Sequence, residues 1–373
     1  MRICIFGAGA VGSHFAVRLA LAGHDVSCVM RGPHLEATKA RGLTLRVGDA
    51  EFTAKVKASD DPAALGPQDF VISTLKANGL SSLVTGLQPL LGADTSVVFA
   101  QNGIPWWYDV GLAPDHPPPP NLGFLDPGGR LRAAVSRERI IGGVIFSANE
   151  IATPGIVANN STDRNLLLVG ECDDRPSERI QLLRTVLDKA GVQSPPAARI
   201  REEIWTKLIG NMSISVLCLL TGQTVKQAIQ DPALREVVPR LLEEAQAISQ
   251  SCCPDVRRNT KGGAPPDHKP SLLQDFERGR PMEIDALVRA PAAFARAAGL
   301  STPMLDVLTG LAIRQARDKG ALRRLNSASP LPLWESIGRL RRPFLEKNAE
   351  AVLRLCRIGR YDPGEGLRPD DRP

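Results

Sequence analysis

The sequence predicts an α/β protein in two parts: a doubly wound parallel sheet in the N-terminal half, then a C-terminal all-helical domain. Three observations carry this. Apolar runs of strand length alternate with helical patterns over residues 2–100, a glycine cluster separates the first strand from the first helix, and strand signals stop after Pro195-Pro196. With 373 residues, 43% of them hydrophobic and 23% charged, the chain is long enough for two or three domains and too apolar for a disordered protein. No uninterrupted apolar stretch approaches the ~18 residues of a membrane span, and no basic leader precedes the first apolar run as it would in a signal peptide. A soluble cytoplasmic protein is expected.

Taken in order, residues 2–6 read as a buried strand, and the helix behind the glycines runs through Ala22 to a Gly23 cap. Residues 25–31 form the second strand. Residues 43–47 and 51–56 read as a hairpin about Gly48-Asp49. A strand at 70–74, a helix near 79–91 and a strand at 96–100 continue the alternation. Residues 105–137, with Pro114, the run 117–120 and Gly128-Gly129, break it and read as an irregular surface insertion. Strands resume at 140–148, 155–158 and 165–169, and Pro176 opens a helix to about 190. Helices at 201–220, 232–251, 271–298 and 303–318 follow. Gly279 and Pro281 should interrupt the third of these. The expected domains are therefore 1–198, 199–328 and an extension, 329–373, that is partly disordered and carries a helix near 343–357.

Seven scattered cysteines with no C-x-x-C pair support neither a disulfide framework nor a metal site, and they suit a reducing compartment. The formal charge of +6 is all C-terminal: from Arg314 onward there are 14 Lys and Arg against 8 Asp and Glu. No nucleic-acid motif accompanies it, so a solvated helical surface is expected rather than a nucleic-acid or membrane partner.

Gly7-Ala8-Gly9-Ala10-Val11-Gly12 fits G-x-G-x-x-G, directly after the first strand and opening the first helix. Gly7 permits a tight turn, Gly9 lets the backbone approach a pyrophosphate, and Gly12 lets helix meet strand. The free N–H groups at the helix start favour the anion. This is a Rossmann-type dinucleotide site. NAD-binding units carry an acidic residue at the end of the second strand, for the ribose hydroxyls. Here that strand ends in Arg31, 19 residues past Gly12, and a cation there suits a 2′-phosphate. The expected cofactor is NADP(H).

In the helical half, Lys207, Asn211 and Ser215 recur at i, i+4 and i+8 on an otherwise apolar helix. A polar row on a buried helix must face a cleft, a partner or water. An ordinary Glu203–Lys207 surface pair is the plain alternative. Ser271 with Gln274 fits a capping box, and Glu283, behind Gly279 and Pro281, is aimed by a helix break.

Together with Thr74-Leu75-Lys76, Gln101-Asn102-Gly103, Trp205-Thr206-Lys207-Leu208 and Ser271-Leu272-Leu273-Gln274-Asp275, these motifs resemble the ketopantoate reductase family over residues 1–325. The resemblance implies NADPH-dependent reduction of 2-dehydropantoate to (R)-pantoate, a step toward pantothenate and coenzyme A. By the same resemblance Lys207 is the catalytic lysine and Glu283 its carboxylate partner. Asn102, Asn211 and Ser271 match substrate-binding positions, and Lys76 stands beside the cofactor. Chemistry agrees on Lys207, since a partly desolvated ammonium can protonate the keto oxygen as hydride reaches C2. Ser215 stands where the family often has a second Asn, and Trp106-Trp107 after Asn102 should narrow or reshape the pocket. Both leave room for a different branched 2-oxo acid as substrate. A cofactor-sensing protein without catalysis is the remaining alternative, which the intact Lys207, Asn211, Ser271 and Glu283 set disfavours. Oligomeric state stays open, with a homodimer admitted.

Overall fold

A computed structural model describes residues 1–161, 164–256 and 269–321 of the chain. Eleven strands are described: β1 (Arg2–Phe6), β2 (Asp25–Val29), β3 (Leu43–Val47), β4 (Ala50–Ala54), β5 (Lys57–Ser59), β6 (Gln68–Ser73), β7 (Leu91–Ala100), β8 (Ile140–Phe146), β9 (Asn149–Thr153), β10 (Ile156–Asn159) and β11 (Leu166–Glu171). Seven build one sheet in the order β11-β8-β7-β6-β1-β2-β5, parallel throughout except for β11. That is the dinucleotide-binding order with one antiparallel strand added. Side chains alternate between its faces with period two. Ile3, Ile5, Phe70 and Ile72 enter one core, while Cys4, Phe6, Val71 and Phe99 enter the other.

The first core is closed by α1 (Ala10–Leu21) and by a second, four-stranded sheet, β4-β3-β10-β9. The hairpin expected about Gly48-Asp49 is β3–β4, with Val47 opposite Ala50. Its parallel pairing to β10, more than a hundred residues on, has no local signal. Buried in α1 is His14, fully shielded, with Nδ1 3.3 Å from Ser147 Oγ and Nε2 unpartnered among the described residues. Burial, seconded by Arg18, pulls its pKa down from 6.5 to about 3. The folded state thus keeps His14 neutral while the unfolded chain takes up a proton below 6.5. The stability this contributes is present above 6.5 and lost as pH falls toward 3. Between pH 6.5 and 4.5 the native chain should lose about 2 kcal/mol more than a His14→Gln variant. Urea titrations at the two pH values check this, and equal losses would refute it.

The remaining helices are α2 (Gly32–Arg41), α3 (Ser81–Gly86), α4 (Arg130–Ala134), α5 (Glu178–Lys189), α6 (Ile200–Met212), α7 (Ile214–Thr221), α8 (Val225–Gln230), α9 (Val237–Cys252), α10 (Ser271–Glu277), α11 (Ala290–Ala297) and α12 (Pro303–Asp318). From Ile200 to Ala321 every described element is helical. The second core runs from the sheet into these helices, with α6 lying on β8 and β11. The run Ile200–Thr221 has the length and hydropathy of a membrane span, but 61% of its apolar window is buried against the rest of the chain.

Three expectations change. The helix at 201–220 is kinked at Ser213 (φ −107°, ψ −81°), whose hydroxyl turns back to the carbonyl of Ile209. The stretch at 271–298 breaks after α10 at Gly279 (φ +60°), as expected, but before α11 it adds a π-helical turn, Asp285–Arg289, that was not. The stretch after Asn102 is also less superficial than expected. Trp106, Trp107 and Tyr108 are among the most buried side chains, and Leu122, Leu131 and Val135 follow them inward. The helix expected near 343–357 and the extension from 329 lie outside the described residues. The six cysteines that are described are free and buried.

Candidate active site

The carboxyl ends of four adjacent strands, β7, β6, β1 and β2, carry most of the residues singled out from sequence, which is where open α/β sheets bind ligands. After β1 comes the glycine turn. Gly7 has φ +90°, and the N–H groups of Gly7 and Ala8 both donate to Val29 O at 3.0 and 3.1 Å, so β2 sets the turn's shape. A Cβ on Gly12 would strike Thr74 and Ile5, whereas one on Gly9 would meet only the Gly7 carbonyl, at 3.9 Å. Gly12 is therefore glycine because helix meets strand. Gly9 is open on the side a ligand would approach. No side chain caps α1, which leaves the N–H groups of Ala10 and Val11 free for an anion. Ala8 is buried and braces the turn, its carbonyl accepting the Ser13 hydroxyl at 3.1 Å. His34 Nδ1 accepts the Gly155 N–H at 2.9 Å, so its Nε2–H donates to Ser13 at 3.0 Å and the brace reaches the second sheet. Arg31, just past β2, is exposed and extended, with no ion-pair or hydrogen-bond partner among the described residues.

Lys207 reaches this edge from α6. Its Nζ donates to Asn102 Oδ1 at 2.7 Å, just past β7, and to the Ile145 carbonyl in β8. It does not pair with Glu203 on its own helix. An ammonium has three donors, so one stays uncommitted. Because an ammonium can only donate, the Asn102 amide must turn its oxygen toward Lys207 and its NH2 outward. Burial lowers the lysine's pKa from 10.5 to about 8. Glu283 acts to raise it, and Arg164 lowers it further.

The Asn102 turn is itself held by the π-helical turn. Ala290 N–H bonds to Asp285 O, so the next i+5 donor, for Ala286 O, would come from residue 291, which is proline and has none. Ile104 N–H takes that orphan carbonyl at 3.0 Å. Gly103 (φ +79°) passes so close that a Cβ would lie 2.6 Å from Ala286 O.

Past β6, Lys76 forms an ion pair with Asp275 of α10, and the Ala77 N–H donates to Glu283 Oε1 at 3.0 Å. Glu283 is only 4% exposed. Burial raises its pKa, and the Ala77 N–H, Lys76 and Lys207 act against that rise. Asp275 lay within a quoted motif but had no role there. Its signal was a buried-helix carboxylate, readable only with its partner 199 residues away.

Asn211 and Ser215 follow Lys207 along the part-exposed stripe of α6 and α7, with no hydrogen-bond partner among the described residues. The kink at Ser213 turns Ser215 relative to the straight row expected. Ser271 starts α10 but does not cap it. Pro270 holds the cap position and Gln274 bonds to Lys269 O, so the capping box is absent and Ser271 stays exposed. Trp106 and Trp107 do not border the site. Trp106 packs edge-on to Phe99, and Trp107 fills the space over Gly142. Sequence reasoning missed Arg201, buried in the first turn of α6. Its guanidinium donates to the carbonyls of Tyr108 (2.9 Å), Cys172 (2.6 Å) and Val110 (2.6 Å), tying the helices to the sheet.

An uncapped helix N-terminus behind a glycine turn, together with a shielded lysine from a helical half at the same sheet edge, fits a pyridine-nucleotide-dependent oxidoreductase. Residues 3–110 match the family model for ketopantoate reductase PanE/ApbA, and residues 199–315 match that for its C-terminal part. A 2-dehydropantoate 2-reductase from Mesorhizobium japonicum is 42% identical over 86% of this chain and 99% of its own. A solved structure from Ralstonia solanacearum MolK2, assigned as a ketopantoate reductase, is 34% identical, covers 86% of this chain and 98% of its own, and has a TM-score of 0.75. D-mandelate dehydrogenase with NADH and anilino(oxo)acetate covers 86% and 100% with a TM-score of 0.70, but at 21% identity it shares the fold alone. The chain belongs to the ketopantoate reductase family and is an oxidoreductase of the 2-dehydropantoate 2-reductase type.

Proposed function

We propose that this protein reduces 2-dehydropantoate to (R)-pantoate with NADPH in the cytoplasm, Lys207 serving as general acid. The observation that carries the reading is the Lys207 ammonium, fixed on Asn102 and Ile145 with one donor free. Gly9, Ala10 and Val11 would hold the pyrophosphate of NADPH, and Arg31 its 2′-phosphate. The bound cofactor supplies hydride. Lys207 hydrogen-bonds the keto oxygen, stabilises the charge that grows there and transfers its proton, leaving a neutral amine that solvent reprotonates. Glu283 keeps a negative field on the lysine, which opposes the effect of burial and holds the acid form near neutral pH. Asn211, Ser215 and Ser271 offer short polar groups to the substrate's own hydroxyl and carboxylate.

Ketopantoate is preferred over another branched 2-oxo acid on the strength of the Mesorhizobium relative. An NADPH oxidation assay with ketopantoate beside related 2-oxo acids tests the choice, and faster turnover of another acid would reassign the substrate. For the cofactor, Arg31→Asp should weaken NADPH binding on the order of 10- to 100-fold, since it removes a charge-assisted contact, and leave NADH binding nearly unchanged. Equal losses for the two cofactors would remove Arg31 from the site.

A further inference from the structure

The geometry points to Arg164 as the residue that receives the carboxylate of the 2-oxo acid, alongside the keto oxygen held by Lys207. The inference rests on the reductase reading above and concerns which side chain recognises the acid. Arg164 is half-buried just before β11, its guanidinium carbon 4.2 Å from the centre of the Phe146 ring. Lys207 Nζ lies 4.9 Å from the centre of that same ring. Two cations thus crowd one aromatic side chain at the end of β8, and the arginine's charge disfavours that of the lysine.

An anion beside such a pair favours the charged form of both members. Among the described residues Arg164 has no ion pair and no hydrogen bond. Glu203 feels its charge but stands beyond ion-pair distance, and burial disfavours its ionised form. Glu283, the other carboxylate near Lys207, is committed to the Ala77 N–H. The five donors of the guanidinium therefore remain available in the planar fork that matches a carboxylate. Phe146 supplies a face that holds the fork in one plane and excludes water behind it. A 2-oxo acid places a carboxylate on the carbon next to its ketone. A molecule whose keto oxygen meets the free Lys207 donor can present that carboxylate to the second cation.

The test is calorimetric titration of the full-length protein, loaded with NADP+, with ketopantoate and with its neutral lactone. Arg164→Met should bind the acid on the order of 10- to 100-fold more weakly than the native chain, with lactone affinity unchanged. Arg164→Lys should fall between. NADP+ affinity, measured separately, should stay within twofold. Acid binding within twofold of native in Arg164→Met overturns the assignment, as does a parallel loss of NADP+ affinity, which would make a cofactor phosphate the anion. A native chain that binds no 2-oxo acid overturns it too. The two readings separate cleanly. If the native chain binds the acid and loses it with Arg164 but never turns it over, the reductase reading fails and the arginine's role stands. If it turns over while Arg164→Met binds normally, the reverse holds.

Discussion

Lys207→Ala is expected to lower kcat for reduction of the 2-oxo acid by roughly 10²- to 10⁴-fold, the range a positioned general acid supplies. NADPH affinity should be unchanged, because nothing in the glycine turn touches this side chain. The native lysine is held by Asn102 and the Ile145 carbonyl, and alanine removes the donor to both. Thermal stability should therefore fall little: the lost hydrogen bonds are offset by the desolvation of a charge that no longer has to be shielded. The pH dependence gives a second check. Reduction needs the protonated form, so kcat/KM should be level below about 8, the value to which burial brings this ammonium, and fall tenfold per unit above it. Oxidation of the hydroxy acid needs the neutral amine and should rise over the same range. A variant that keeps its turnover, or a native profile flat from pH 7 to 10, would take the acid role from Lys207.

Legibility in the sequence followed the range of the interactions. Six of the seven strands of the main sheet and the glycine turn could be read because alternation, strand length and G-x-G-x-x-G are local; the three-residue edge strand β5 is too short to carry such a signal. Lys207 was legible for a similar reason, since a polar row on an apolar helix must be satisfied by something. Asp275 and Arg201 were not. Each is a charged residue on a helix, which reads as solvated surface until its partners across the chain are known: Lys76 in one case, three carbonyls in the other. The misplacement of Trp106 and Trp107 has the same origin. Nearness in sequence to Asn102 suggested the pocket, but Gly142 on β8 opens a space that the second tryptophan fills from the core side. The kink at Ser213 carries neither glycine nor proline to announce it. Pro291 did carry such a signal, and its meaning became clear only with Ile104 opposite the carbonyl it leaves free.

Gly103→Ala should be the most disruptive single-methyl change near the site. The backbone there has φ +79°, where a Cβ costs roughly 1–2 kcal/mol. The added carbon would also lie 2.6 Å from Ala286 O and 2.9 Å from Ala286 Cβ, atoms of a packed helix rather than of a flexible side chain. The turn cannot move off without breaking the Ile104 N–H to Ala286 O bond, and that carbonyl has no alternative donor because residue 291 is proline. Strain, overlap and a stranded buried carbonyl together place the destabilisation at about 3–5 kcal/mol. The activity should suffer beyond the stability, because Asn102 adjoins the shifted residue and Lys207 would lose the amide oxygen that fixes it. Urea unfolding and kcat, measured on protein still folded at 20 °C, would show both losses, with NADPH binding retained. Pro291→Ala supplies the complementary case. It restores an N–H that can compete for Ala286 O, so kcat should fall several-fold while the fold keeps most of its stability. If Gly103→Ala unfolds at the native urea concentration with native kcat, the loop does not rest on the helix, and the route from proline to lysine is severed at its first contact.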